Sequence, residues 1–131
     1  MVTKKQDQND KFTGFNMVFN ELSKKWALIL IKDLFLGCKK FTDFLDFNPR
    51  LSNKVLSDQL KRLEEYGFIT KKIVSMTPMR AEYELTEMGR DLNKTIYEQI
   101  KFGIKHGFIY ENCFTFQNRS LEKIFNIDIQ K

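Results

Sequence analysis

The chain has 131 residues, of which 42% are apolar and 30% are charged, and it carries a formal net charge of +5. This length and composition predict one globular domain with a substantial core and exclude a globally disordered chain. The longest apolar run, residues 26–31, is too short to span a membrane, and the polar N-terminus lacks the apolar segment of a secretory signal, so we expect no membrane partner.

Two helices are predicted after a loose polar arm at residues 1–11. Residues 12–22 place apolar side chains at helical spacing. Residues 26–36 are apolar on nearly every side, which is typical of a helix buried in the middle of a domain. Gly37 stands where this second helix would end. The apolar positions of the first helix are Phe15, Val18, Phe19 and Leu22.

A helix-turn-helix candidate follows, with two short helices joined by a turn that contains proline. Thr42 can cap the first of these helices, and Asn48-Pro49 ends it because a residue before proline avoids helical angles. Ser52 can cap the second helix, which Gly67 closes. The predicted buried face of this second helix is Val55, Leu56, Leu60 and Leu63.

The spacing then changes from helical to alternating, which predicts a β-hairpin over residues 68–74 and 80–85 with its tip at 75–79. Thr86 is the predicted cap of a long amphipathic helix that runs to about His106. The apolar stripe of that helix is Leu92, Ile96, Ile100 and Ile104.

This order of elements predicts a mainly α (α+β) fold: a winged helix-turn-helix with a β-hairpin wing and added N- and C-terminal helices. Residues 12–106 would form this domain, residues 1–11 a flexible arm, and residues 107–131 a C-terminal extension with one short helix around 120–125. The fold suits duplex DNA because the major groove admits one α-helix, while the hairpin lies over the flanking backbone or minor groove.

The polar face of the helix after Ser52 is the first candidate DNA-binding surface. Lys54, Ser57 and Lys61 are three and four residues apart and therefore line one stripe, beside Asn53. Asn, Ser and Lys side chains can contact base edges or phosphates, although a polar helix face is more often only solvated. The other cationic candidates, with the hairpin lysines forming a cationic wing, are Arg50, Arg62, Lys71, Lys72 and Arg80.

Few residues suggest any other chemistry. Cys38 precedes two lysines, and nearby cations lower the pKa of a thiol, so it is a candidate redox thiol; an inert, partly buried thiol is the alternative. Met17 and Trp26 could line an apolar effector pocket, with core packing as the default. The chain has no phosphate-binding loop, metal-ligand spacing or nucleophile with a base, so we expect neither an enzyme nor a metal or other cofactor.

Several motifs in one register resemble the HxlR-type regulators, a branch close to the MarR winged helices. The resemblance begins in the run KWALILIKDLFLG at residues 25–37 and continues through 40–44 and 51–57. It extends through residues 60–69 and 82–89, and overall it covers about 90 residues from Phe15 to His106.

The resemblance implies a cytoplasmic, homodimeric transcription regulator that binds a near-palindromic operator, for which a repressor role is the working expectation. An unknown small-molecule effector is a further candidate partner. The helix at about 52–66 would enter the major groove, and the wing at about 68–85 would contact the flanking DNA. Lys40, Ser52 and Gln59 complete the set of DNA-binding candidates. The implied dimer contacts are the apolar positions of the first and the long C-terminal helix: Phe15, Val18, Phe19, Leu22, Leu92, Ile96, Ile100 and Ile104.

The chain also departs from the family pattern. Gln59 stands where arginine is common in the recognition helix, and residue Thr13 stands near the position where many members carry a cysteine. An alternative from another class is a winged-helix module that binds protein partners and has no operator of its own.

Overall fold

The computed structural model describes residues 12–110 and 119–128, so the predicted N-terminal arm and Cys113 lie outside the described residues. The helices and strands of these residues, in chain order, are α1 (Thr13–Leu22), α2 (Ala27–Phe35), α3 (Phe41–Phe47), α4 (Asn53–Glu65), β1 (Ile69–Met76), β2 (Met79–Leu85), α5 (Glu87–Arg90), α6 (Asn93–Lys105) and α7 (Leu121–Ile124). This is the predicted winged helix-turn-helix. None of these helices combines the length and apolar character that a membrane span requires.

Helix α2 is the centre of the core, as its nearly continuous apolar sequence predicts. Leu30 and Ile31 are fully buried, and residues from every other helix except α1 and α5 join the same apolar cluster. Gly37 ends the helix with a φ of +108°, a left-handed conformation that favours glycine. The N–H of Cys38 then donates to the carbonyl of Asp33 at 3.0 Å.

The helix-turn-helix is formed by α3 and α4. Of its two predicted N-terminal caps, one is correct and one is wrong. Ser52 caps α4 as predicted, since its Oγ accepts the N–H of Val55 at 3.1 Å. Thr42 was the wrong cap for α3, because the helix begins at Phe41 and Thr42 already lies within it. At this end of the helix, the Asp43 carboxylate accepts the N–H groups of Lys40 and Lys39 at 2.9 and 3.0 Å. These hydrogen bonds lower the pKa of Asp43.

The buried face of α4 is narrower than predicted. Leu56, Leu60 and Leu63 are buried at four- and three-residue spacing. Val55 is 38% exposed, which corrects the prediction, because it lies about 100° around the helix from Leu56.

The wing is an antiparallel hairpin with a tighter tip than predicted. Met76 and Met79 are the last paired positions, so only Thr77-Pro78 separates the strands instead of five residues. The N–H of Tyr83 donates to the carbonyl of Lys39 at 2.8 Å, which joins the base of the wing to the segment before α3.

The predicted long helix after Thr86 is divided into α5 and α6. Thr86 caps α5 as expected, with Oγ1 accepting the N–H of Gly89 at 3.1 Å and donating to the carbonyl of Gly67 at 2.6 Å. A Cβ at Gly89 would lie 2.2 Å from the carbonyl oxygen of Phe68, so only glycine permits this close packing on the base of the wing. The chain then turns before α6 begins at Asn93.

Helix α7 lies at the predicted place, is capped by Ser120 and packs into the core. Leu121, Ile124 and Phe125 are buried, and the Phe125 ring centroid is 5.0 Å from that of Phe35 on α2. Two polar contacts join this segment to α6. Asn93 donates from Nδ2 to the carbonyl of Phe125 at 2.7 Å, and Tyr97 donates to a Glu122 carboxylate oxygen at 2.7 Å.

Candidate DNA-binding surface

The exposed face of α4 carries the polar stripe that the sequence predicts. Asn53, Lys54, Ser57 and Lys61 are all exposed, while the leucines of the opposite face hold the helix on the core. Lys54 lies 3.1 Å from the Asp58 carboxylate, and both side chains are largely in water. An exposed pair of this kind contributes only about 0.2–1 kcal/mol, so Lys54 can exchange it for a phosphate at little cost.

Four other predicted DNA contacts on or near α4 differ in how freely their side chains could reach DNA. Arg50 is exposed in the turn before α4. The hydroxyl oxygen of Ser52 is engaged in the helix cap, and Gln59 is half-buried, with an Oε1 that has no hydrogen-bond partner in the described part of the chain. Arg62 donates from Nε to Glu21 at 3.2 Å, so its guanidinium joins α4 to α1. A phosphate would have to displace Glu21 to contact this guanidinium.

The wing is cationic only in part, which corrects the prediction. Lys71, Lys72 and Arg80 are exposed, but Lys72 is paired across the hairpin with Glu82. The outer half is apolar, and its exposed side chains are Ile73, Val74, Met76 and Met79.

A cleft between the start of α3 and the wing brings together two cationic candidates that are distant in the sequence. Lys40 and Thr42 line one wall, and Met79 and Arg80 line the other. Glu82 also lines the wing side of this cleft, so Lys40 and Arg80, and not the cleft as a whole, offer contacts to an anionic group such as a backbone phosphate.

The predicted dimer contacts separate into two groups. On α1, Phe15 and Phe19 are 66% and 67% exposed, and Val18 is also mainly exposed. On α6, however, Ile96 is 3% exposed and belongs to the core, so its placement in an interface was wrong.

The remaining positions of the predicted interface, Leu22, Leu92, Ile100 and Ile104, are half-buried. Phe102 on α6 and Phe108 shortly after it are exposed, and the predicted interface did not include them. Phe102 lies outside the four-residue stripe on which the prediction depended. A search for apolar residues off that stripe would have found it.

Cys38 lies in the environment expected for the inert thiol that was the alternative to a redox thiol. Its side chain is buried, and burial, followed by the negative charges of Asp33 and Asp43, raises the pKa of its thiol to about 12. The adjacent lysines are exposed, so they do not offset these effects. Burial and a raised pKa both favour the inert thiol over the redox thiol.

Asp33 is a buried acid that the sequence reasoning did not assign to any role. Its Oδ2 accepts the side-chain N–H of Asn48 at 2.7 Å, and Lys32 lies 2.9 Å from its Oδ1. Asn48 also donates to the carbonyl of Phe44 at 2.8 Å. Asp33 thus fixes the end of α3 and the turn that leads into α4; an acid within an otherwise apolar helix was the available signal.

An apolar cleft of about 220 Å³ lies between α2 and α6. Its lining includes Leu28, Ile29 and Ile100, with Lys32 at the same site, but neither Met17 nor Trp26. Trp26 packs instead against the core. In the part of the chain that the structure describes, no cluster of His, Cys, Asp and Glu side chains could hold a metal ion.

A sequence model of the HxlR-like helix-turn-helix family matches residues 21–108. The chain belongs to the HxlR-like helix-turn-helix family. It is a DNA-binding transcriptional regulator of the HxlR/MarR type and not an enzyme, and the alternative of a module that binds only proteins is not favoured.

Relatives from Bacillus subtilis support this membership. The uncharacterized HTH-type transcriptional regulator YvaP is 32% identical over 96 residues, which are 73% of this chain and 89% of YvaP. The uncharacterized HTH-type regulator YdzF is 33% identical over 100 residues, covering 74% of this chain and 90% of YdzF.

Solved structures show the same fold. The reduced form of the redox regulator HypR aligns with a TM-score of 0.67 and 26% identity, covering 76% of this chain and 99% of HypR. The reduced form of the transcriptional regulator YodB from B. subtilis aligns with a TM-score of 0.60 and 27% identity, covering 80% of this chain and 94% of YodB.

We predict that the buried thiol of this HxlR-like regulator reacts slowly. The Cys113→Ser variant retains Cys38 as its single cysteine, since the chain has two. A pKa raised from 9.0 to about 12 lowers the thiolate fraction near pH 8 on the order of a thousandfold. Alkylation by iodoacetamide at pH 8 should be slow in the folded protein and fast after unfolding in guanidinium chloride. Equal rates in both states would contradict the burial of Cys38.

Proposed function

We propose that the protein acts in the cytoplasm as a homodimer on a near-palindromic operator, with α4 of each subunit in a major groove and the wing on the flanking DNA. The exposed apolar face of α1 is the observation that carries the proposal. Phe15, Val18 and Phe19 form one helical stripe that the chain's own core does not cover. A soluble protein rarely leaves such a face in water, and a second copy in two-fold symmetry would bury it.

The charge on the exposed face of α4 supports DNA as the ligand of this dimer. Lys54 and Lys61 on α4 are exposed with Asn53 and Ser57, so each subunit presents phosphate-binding cations beside groups that can contact base edges. Lys40 and Arg80 add cations around the cleft between α3 and the wing. Two-fold symmetry duplicates this surface, and equal half-sites in inverted orientation then follow.

The dimer is tested by Phe15→Glu combined with Phe19→Glu. We expect this variant to be monomeric in light scattering at concentrations where the wild type is dimeric, with unchanged helical circular dichroism, because two buried carboxylates would oppose association. Met88→Glu is the matched control, since it places an acid at a partly exposed apolar position on α5. A dimeric double variant, or a monomeric wild type that binds a single unrepeated half-site, would contradict the proposal.

A further inference from the structure

The outer half of the wing projects from the core. Ile69, at its base, is 1% exposed, whereas Met76 and Met79 at its tip are 74% and 64% exposed. With a strand rise of about 3.4 Å per residue, the tip lies about 24 Å along the strand from the buried base. Two backbone hydrogen bonds hold the base of the wing in place. The N–H of Tyr83 donates to the carbonyl of Lys39 at 2.8 Å, and the N–H of Thr86 donates to the carbonyl of Phe68 at 3.0 Å.

The tip itself is an apolar wedge. Met76 and Met79 are directly paired across the hairpin, so their side chains leave the same face side by side, and Pro78 lies between them in the turn. Methionine is unbranched and adapts its shape to an irregular apolar contact. Both side chains are mainly in water, so neither packs in the core that the described residues form.

The charge around the wedge identifies the partner it fits. Arg80 adjoins it, and the sequence contains no acid between Glu65 and Glu82. Lys71 and Lys72 lie nearer the base of the wing, where Glu82 is opposite Lys72. An apolar tip with an adjacent cation and no adjacent acid complements a partner that is anionic outside and apolar inside. Duplex DNA has this arrangement, because phosphates border the minor groove and stacked bases form its floor.

We propose that the wing tip is a minor-groove wedge, in which Met76 and Met79 press into a base step beside each half-site, partly unstack it and bend the DNA. This inference rests on the proposed function and specifies how the wing would act within it. Apolar side chains, including methionine and proline, kink duplexes toward the major groove when inserted in this way. Pyrimidine–purine steps deform most easily, so the wing would favour TA or CA steps at positions without base-specific hydrogen bonds.

The test uses duplexes that the wild-type protein selects from a random-sequence pool. Dyes at the two ends report bending by energy transfer, and 2-aminopurine in the flanking step reports unstacking. We expect wild-type protein to shorten the end-to-end distance and to increase 2-aminopurine fluorescence. The Met76→Ala/Met79→Ala variant should lose both signals and bind more weakly by about tenfold, while the dependence of its affinity on salt is unchanged.

The matched control is Lys71→Ala/Lys72→Ala, which leaves the wedge intact. This variant should still bend the duplex. The slope of its logarithmic affinity against logarithmic salt concentration should become shallower by about one unit for each phosphate that these lysines neutralise in the wild type. Wild-type protein that binds without bending, or a methionine variant that bends DNA as the wild type does, would overturn the wedge while leaving the proposed function in place. A change in the oligomeric state of the free methionine variant, with the bend intact, would assign the tip to a protein contact instead. Absence of any duplex binding would overturn both proposals.

Discussion

Replacing Lys54 and Lys61 with alanine is expected to weaken duplex binding by at least about tenfold without lowering the melting temperature. Both side chains are exposed on the stripe of α4, and the Lys54–Asp58 pair is too solvated to contribute much to stability. In a dimer each lysine occurs twice, so the logarithmic dependence of affinity on salt should become shallower by about one unit for each phosphate that the variant no longer neutralises. Fluorescence anisotropy at several salt concentrations measures both quantities.

Lys94→Ala combined with Lys123→Ala provides the control for this experiment. It removes the same charge from exposed positions on α6 and α7, away from α4. If the weakening depends on where the charge lies, only the α4 variant should bind weakly. An equal weakening in the two variants, or none in either, would exclude the α4 stripe as a specific contact surface.

Phe125→Ala should destabilise the fold by about 3–5 kcal/mol, the usual cost of truncating a buried phenylalanine. Phe125 is fully buried, and its ring packs on Phe35 of α2, although it lies beyond the family match that ends at residue 108. The melting temperature, measured at fixed protein concentration, should fall on the order of 10 °C or more. Lys123→Ala, an exposed change in the same helix, should have almost no effect. A stable Phe125→Ala protein would mean that α7 is dispensable for the core.

The parts of the fold that were predictable depend on local chemistry. Ser52 and Thr86 were correct as helix caps, and Gly37 and Gly67 were correct as stops, with φ angles of +108° and +89°. A hydroxyl that caps the next turn, or a glycine that adopts a left-handed angle, needs only its immediate neighbours in the chain. The polar stripe on α4 was likewise predictable, because helical spacing alone decides which side chains share a face.

The errors involve contacts between distant segments. Ile96 has the same four-residue spacing as its neighbours on α6, yet it alone is almost completely buried, which depends on how α6 packs in the core. The pKa of Cys38 depends on burial and on Asp33, while the sequence showed only the adjacent lysines. Arg62 is engaged by Glu21, an acid 41 residues away, and no pattern on α4 indicates that pairing.

This contact between Arg62 and Glu21 has a mechanical consequence. Glu21 belongs to the helix with the exposed aromatic face, and Arg62 belongs to the helix with the polar stripe. The Arg62 guanidinium also lies 5.7 Å from the ring centroid of Tyr66, at the end of α4. In the proposed dimer, this ion pair would therefore connect the subunit interface on α1 with the helix that contacts DNA. The position of α4 would then depend in part on how the two copies of α1 are placed.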